Sequence, residues 1–191
     1  MIIMGVDPGV ARLGYAFIEI KKKGGKLKAI DYGCIKTSPD FLTGERLKII
    51  NNELNKLIKK YKPDMLIDLA TLTGACVMAL GEKIAGIFSL DDNLATSIVK
   101  AGEKTHERCW RLPLPDDYKE LIKSDFADIK NLSSSKWGGA ITAALFLSEF
   151  TGDTRWAHID IAGPAYAKKK NAYCGAGGTG FGVRLLCELL K

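Results

Sequence analysis

Leu47, Ile50, Leu54, Leu57 and Tyr61 recur at helical spacing, with lysines and asparagines between them, and Pro63 then stops the pattern. Directly after it, Met65 to Leu69 is a short apolar run. An amphipathic helix feeding such a run reads as a helix packed on a sheet followed by a parallel strand buried on both faces. Upstream, Met1–Val6 reads as a strand ending in the turn Asp7-Pro8-Gly9. Leu13–Ile20 and Leu27–Thr37 read as two more strands, with Gly24-Gly25 as a hairpin signal between them. The order β-β-β-α-β predicts α/β architecture: three layers, a central mixed sheet with helices on both faces.

Downstream, the pattern predicts helices over 71–80, 94–107, 138–150 and 179–190. Strands are predicted over 84–90 and 156–161, and loops over 109–118 and 162–178. With no repeat and no low-complexity linker, one α/β domain over 1–191 is expected. Its 191 residues are 47% hydrophobic and 26% charged, enough to build a core without disulfides, and this excludes a disordered or collagen-like chain. The five cysteines, Cys34, Cys76, Cys109, Cys174 and Cys187, form no CxxC pair and read as reduced thiols of a cytoplasmic protein. No apolar run reaches membrane-spanning length, and Met1-Ile2-Ile3-Met4-Gly5 has neither basic flank nor cleavage site, so neither membrane nor signal peptide is expected.

Charge divides the chain. Residues 1–62 hold 13 basic and 6 acidic groups, net +7; residues 63–191 hold 15 and 16, net −1. The basic N-terminal third is therefore a candidate for weak, salt-sensitive DNA binding, against the plainer reading of a lysine-rich solvated face. His106 and His158 lack ligand spacing, and His158 reads as a core histidine. Lys168-Lys169-Lys170 reads as a solvated loop. The glycines from Gly175 to Gly182 precede a helix and raise phosphate binding, without the Lys-Ser/Thr of a P-loop.

Residues 1–64 resemble the N-terminal part of RuvC-type Holliday junction resolvases. The resemblance is carried by Ile3-Met4-Gly5-Val6-Asp7-Pro8-Gly9, Gly14-Tyr15, Asp31-Tyr32-Gly33, Ile35-Lys36-Thr37, Glu45-Arg46-Leu47 and Tyr61-Lys62-Pro63-Asp64. It implies a ribonuclease H-like beginning and a nuclease site in which four carboxylates hold two divalent ions. Asp7 matches the first ligand. Asp68 is the nearest candidate for the second, a glutamate in the family, on a strand one residue short of the family pattern. The last helix offers only Glu188 where the family has two further ligands.

Residues 62–191 resemble the C-terminal part of the cytosolic leucyl aminopeptidase family. Here the matching text is Ile67-Asp68-Leu69-Ala70-Thr71-Leu72-Thr73-Gly74-Ala75, Trp110-Arg111-Leu112-Pro113-Leu114, Ser124-Asp125-Phe126-Ala127-Asp128-Ile129, Gly138-Gly139-Ala140-Ile141-Thr142-Ala143-Ala144, Trp156-Ala157-His158-Ile159-Asp160-Ile161-Ala162-Gly163 and Gly178-Thr179-Gly180-Phe181-Gly182. This implies a metallopeptidase ancestry whose zinc or manganese ligands belong to a motif not found in residues 1–61. Thr71, Leu72, Thr73 and Gly74 match the loop lining the substrate site.

Together the resemblances imply a chimera, a resolvase-like segment (1–62) joined by engineering to an aminopeptidase-like one (63–191), recombinant in origin and without natural catalysis. Asp7 and Asp68 are the candidate catalytic pair; with Asp160 they form a candidate cluster for one Mg or Mn ion at millimolar affinity. Otherwise no cofactor is expected. The alternatives are junction cleavage with Mg or Mn, and peptide binding or residual aminopeptidase action at Thr71–Gly74. Former oligomer surfaces left open imply self-association.

Overall fold

The computed structural model describes residues 1–21, 25–170 and 172–191, so the Gly24 half of the hairpin signal lies outside the described residues. The chain divides into two compact units, Met1–Leu69 with Leu190–Lys191, and Ala70–Leu189. The division falls after Leu69, seven residues beyond the charge seam at Lys62.

In the first unit, β1 (Ile2–Asp7), β2 (Arg12–Ile20) and β3 (Leu27–Lys36) form an antiparallel meander, and β4 (Met65–Ala70) lies parallel to β1. The order is β3-β2-β1-β4. Between β3 and β4 runs α1 (Thr43–Tyr61), which ends where its periodicity and Pro63 predict. Its apolar stripe, Ile50, Leu54 and Leu57, packs with Val6, Leu13, Tyr15 and Ile35 of the sheet. At the helix start, Glu45 Oε2 accepts the Leu42 N–H at 2.9 Å. At its end, Lys62 turns left-handed (φ 47°) and its N–H closes on Ile58 O at 2.8 Å. Tyr61 anchors the last turn by donating its hydroxyl to Asp31 Oδ2 at 2.8 Å.

Asp64 then sets the register of the parallel pair. Its Oδ2 accepts the Ile2 N–H at 2.7 Å, and its own N–H donates to Ile2 O at 2.8 Å. β4 departs from the expected strand buried on both faces. Met65 and Ile67 are buried, while Leu66 and Asp68–Ala70 are partly open, so burial alternates with the pleat.

The second unit has the strand order β7-β5-β6, from β5 (Ala85–Phe88), β6 (Cys109–Arg111) and β7 (Arg155–Asp160); β5 is parallel to β6 and antiparallel to β7. Its helices are α2 (Gly74–Leu80), α3 (Asp92–Thr105), α4 (Gly139–Ser148) and α5 (Val183–Leu189). Cys76, Phe88, Ala140 and Ala144 form an apolar cluster under Ala75, Leu80, Leu112, Leu114 and Ile141. Two predicted loops carry structure. Residues 109–118 contain β6 and the start of a 3-10 stretch (Asp116–Ile122), and within 162–178 β8 (Tyr166–Ala167) pairs with β9 (Gly177–Gly178). Strands of two or three residues leave too little alternation for a period to show.

Candidate functional site

Thr71, Leu72 and Thr73 connect β4 to α2. Thr73 is extended (φ −135°, ψ 136°), and its Oγ1 accepts the Cys76 N–H at 3.0 Å, which starts the helix. The same hydroxyl donates to Asp160 Oδ2 at 2.7 Å. Asp160 also accepts the N–H of Thr73 (Oδ2, 3.1 Å), of Leu72 (Oδ1, 3.2 Å) and of Ala162 (Oδ1, 3.1 Å). The carboxylate is fully buried. A buried charge is tolerable only when hydrogen bonds replace its water, and four donors do so here. Thr71, Leu72 and Gly74 are exposed, so the loop has one side held by Asp160 and one open to solvent.

Cys76 lies beneath the loop, its Sγ 3.9 Å from Asp160 O. Burial first, and the Asp160 charge second, push its thiol up to about 11, so it stays protonated and is no nucleophile at neutral pH. His158, two residues before Asp160, is buried and stacked on Phe88 with ring centroids 6.0 Å apart, a core histidine.

The register does not bring Asp7 and Asp68 together. Asp68 stands opposite Val6 in the parallel β1–β4 ladder. Neighbouring strand residues leave opposite faces, so Asp68 shares the face of Val6, which packs against α1, and Asp7 points to the other. Among the described residues, no group of three or more His, Cys, Asp or Glu side chains is arranged to hold a metal ion. Among the described residues the donors present do not assemble the dimetal centre of either resembled family, and both Asp160 oxygens already accept hydrogen bonds from the chain.

A second buried carboxylate escaped sequence reasoning. Glu107, 2% exposed, accepts the N–H of Gly182 and of Leu185 at Oε2 (3.0 and 2.8 Å) and Arg184 Nε at Oε1 (3.2 Å). The glycine cluster that suggested phosphate binding thus leads into a helix start already filled by the chain's own anion. Neighbouring Cys109 is pushed up to about 12, by burial first and then by the Glu107 charge. Of the lysine run, Lys168 is exposed and pairs with Glu82.

Comparison with known proteins finds two families in the chain. The catalytic domain of the cytosol aminopeptidase family matches residues 48–187, and crossover junction endodeoxyribonuclease RuvC matches residues 3–83. Similar proteins include the probable cytosol aminopeptidase of Chloroherpeton thalassium, 49% identical over 161 residues (84% of this chain, 31% of that protein). That of Chlorobaculum tepidum is 58% identical over 134 residues (70% and 26%). A mutant tomato leucine aminopeptidase superposes with a TM-score of 0.65 at 35% identity, covering 88% of this chain and 32% of that one.

The fold and the Asp160-held loop thus belong to a protein of mixed ancestry, resolvase-like at its start. The chain belongs to the cytosol aminopeptidase family, and it spans less than a third of the length of these curated relatives. The tomato enzyme agrees with the fold class read from the sequence, a mixed sheet between helices in three layers. The two family matches overlap over residues 48–83, a span that includes the boundary at residue 62 read from the sequence.

Proposed function

We propose that this polypeptide binds peptides through Thr71–Gly74 and has no metal-dependent hydrolysis of its own. On this reading it is an engineered joining of two cytoplasmic protein families in which the substrate-side loop has outlived both dimetal centres. One observation carries the proposal: the Asp160 carboxylate, the best buried of the three candidate ligands, is committed to four donors of the loop and its flank. The loop is therefore built, while Asp7 and Asp68 diverge across their sheet. Among the described residues no three such groups converge, so a Mg or Mn ion at Asp7 would meet too few ligands for tight binding.

The test has two arms. Anisotropy of a free-amine tripeptide with a C-terminal dye should rise on titration with the protein, and no rise overturns the peptide reading. Leucine p-nitroanilide with Zn or Mn, and a four-way DNA junction with Mg or Mn, should both stay intact. Turnover abolished by Asp7→Asn or Asp160→Asn would overturn the non-hydrolytic reading.

A second reading has its own support in the first unit. Lys48, Asn52, Asn55, Lys59 and Lys62 succeed one another at helical spacing and are all exposed, along α1 and its left-handed end. The exposed helix face thus offers cations and amide donors to a phosphate backbone. Affinity for a 20-base-pair duplex should fall steeply with salt, and the slope of log affinity against log salt should flatten by roughly one per lysine changed to glutamine.

A further inference from the structure

We infer that the second unit carries a binding site for a hydrophobic organic cation, a quaternary or aryl-bearing ammonium, between the loop that follows Ile122 and the end of α4. The loop and the last turn of α4 enclose a recess of about 740 Å³. Ligand pockets commonly hold roughly 300–1,000 Å³. The recess is separate from Thr71–Gly74. Gly139, at the other end of α4, faces Ala75 beside that loop, and a Cβ on Gly139 would stand 3.3 Å from the Ala75 Cβ. Ten helical residues put roughly 15 Å between the two places.

Two hydrogen bonds shape the loop. Lys130 N–H donates to Ile122 O at 2.7 Å and draws its ends together, and Ser124 Oγ accepts the Ala127 N–H at 3.1 Å. Three aromatic rings line the recess. Phe126 is 97% exposed and Phe150 69% exposed. Phe146 is half-buried and meets Phe150 edge to face, with ring centroids 5.1 Å apart. Rings gathered in water around one hollow mark a binding surface.

Charge selects what binds there. The whole chain is +6, yet residues 116–130 with Glu149 hold six carboxylates against three lysines. Lys119 pairs with Asp116 at 3.3 Å and with Glu149 at 3.6 Å, and Lys123 pairs with Glu120 at 2.6 Å. On the recess itself Asp128 and Glu149 outnumber Lys130. Glu149 also caps the C-terminal end of α4, where the helix carbonyls are themselves negative. A cation answers both sources of negative potential, and an anion meets both. An ammonium bearing methyl or aryl groups adds contact with the faces of the phenylalanines, which attract a cation through their ring electrons.

The experiment titrates the full chain with thioflavin T, a cationic aromatic dye, and with 8-anilinonaphthalene-1-sulfonate, an anionic one. Thioflavin T should bind about tenfold more tightly than the sulfonate, and benzyltrimethylammonium should displace it. Phe126→Ala and Phe150→Ala change exposed side chains, and each should weaken thioflavin T about fivefold. Glu149→Gln should weaken it about threefold, and Lys130→Gln should strengthen it about twofold. Binding of the free-amine tripeptide should be the same in all four variants.

Sulfonate binding as tight as that of thioflavin T overturns the choice of a cation. Unchanged thioflavin T affinity in both phenylalanine variants overturns the site. A tripeptide affinity that falls with them overturns its separation from Thr71–Gly74. A dimer seen by sedimentation velocity and abolished by Phe126→Ala would place a second copy in the recess, and it too overturns the inference.

Discussion

Asp68 faces Val6 across the parallel ladder and so turns its carboxylate away from Asp7, although both sit near the carboxyl ends of adjacent strands. The position that follows Asp7 in register is Leu69, so a carboxylate placed there would emerge beside Asp7.

Calorimetric titration with Mn should therefore give the same weak heats for wild type, Asp7→Asn and Asp68→Asn. In Leu69→Glu a saturable isotherm should appear, with affinity at least tenfold higher, and it should vanish in Leu69→Glu combined with Asp7→Asn. Strong binding by wild type that is lost in Asp68→Asn would contradict the register.

Gly102 lies in α3, where alanine ordinarily gains about 1 kcal/mol over glycine. Here a Cβ would stand 2.5 Å from the carbonyl oxygen of Glu107, in the segment that leaves the helix through left-handed His106. The sign should reverse. Gly102→Ala should destabilise the second unit by about 1–3 kcal/mol in urea unfolding.

Asp91 caps α3, accepting the Leu94 N–H at 2.9 Å, and pairs with Arg155 at 2.7 Å. The Leu94 N–H first, then Arg155, hold its carboxyl below the usual aspartate range. A carboxyl with a depressed folded-state pKa stabilises above its unfolded value and loses that contribution as pH falls through the folded one. Asp91→Ala should cost about 1 kcal/mol at pH 7. The gap between wild type and variant should narrow once pH drops below the unfolded value of about 3.9, read from unfolding curves across the acid range.

The cysteines should divide by burial. Alkylation at pH 8 followed by mass spectrometry should label exposed Cys34 and Cys187. It should spare Cys76 and Cys109, whose thiols are pushed up to about 11 and about 12, until denaturant is added.

What the sequence revealed depends on how far apart the interacting groups lie. The body and end of α1 were legible, because its period and the proline after it are both local. Asp7 and Asp68 were both legible as carboxylates near strand ends, but the faces they take appear only once β1 and β4 are set in register. Asp160 looked like a metal ligand because it is an aspartate at a strand end. Its donors, Leu72 and Thr73, stand nearly ninety residues upstream, and no spacing rule connects them. Glu107 was invisible for the same reason. Its partners, Gly182, Arg184 and Leu185, lie across the whole second unit, and replacing it with alanine should cost about 3 kcal/mol by leaving those donors bare. The last helix begins at Val183, four residues later than the pattern proposed, because Gly180 and Gly182 adopt positive φ.

The span from 48 to 83, claimed by both family models, contains most of α1, all of β4 and all of α2. That stretch carries its own punctuation: Lys62 to break the helix and Asp64 to seat the next strand against Ile2. A cut in the chain between these two residues would therefore part the helix stop from the strand anchor and leave β4 to find its neighbour unaided.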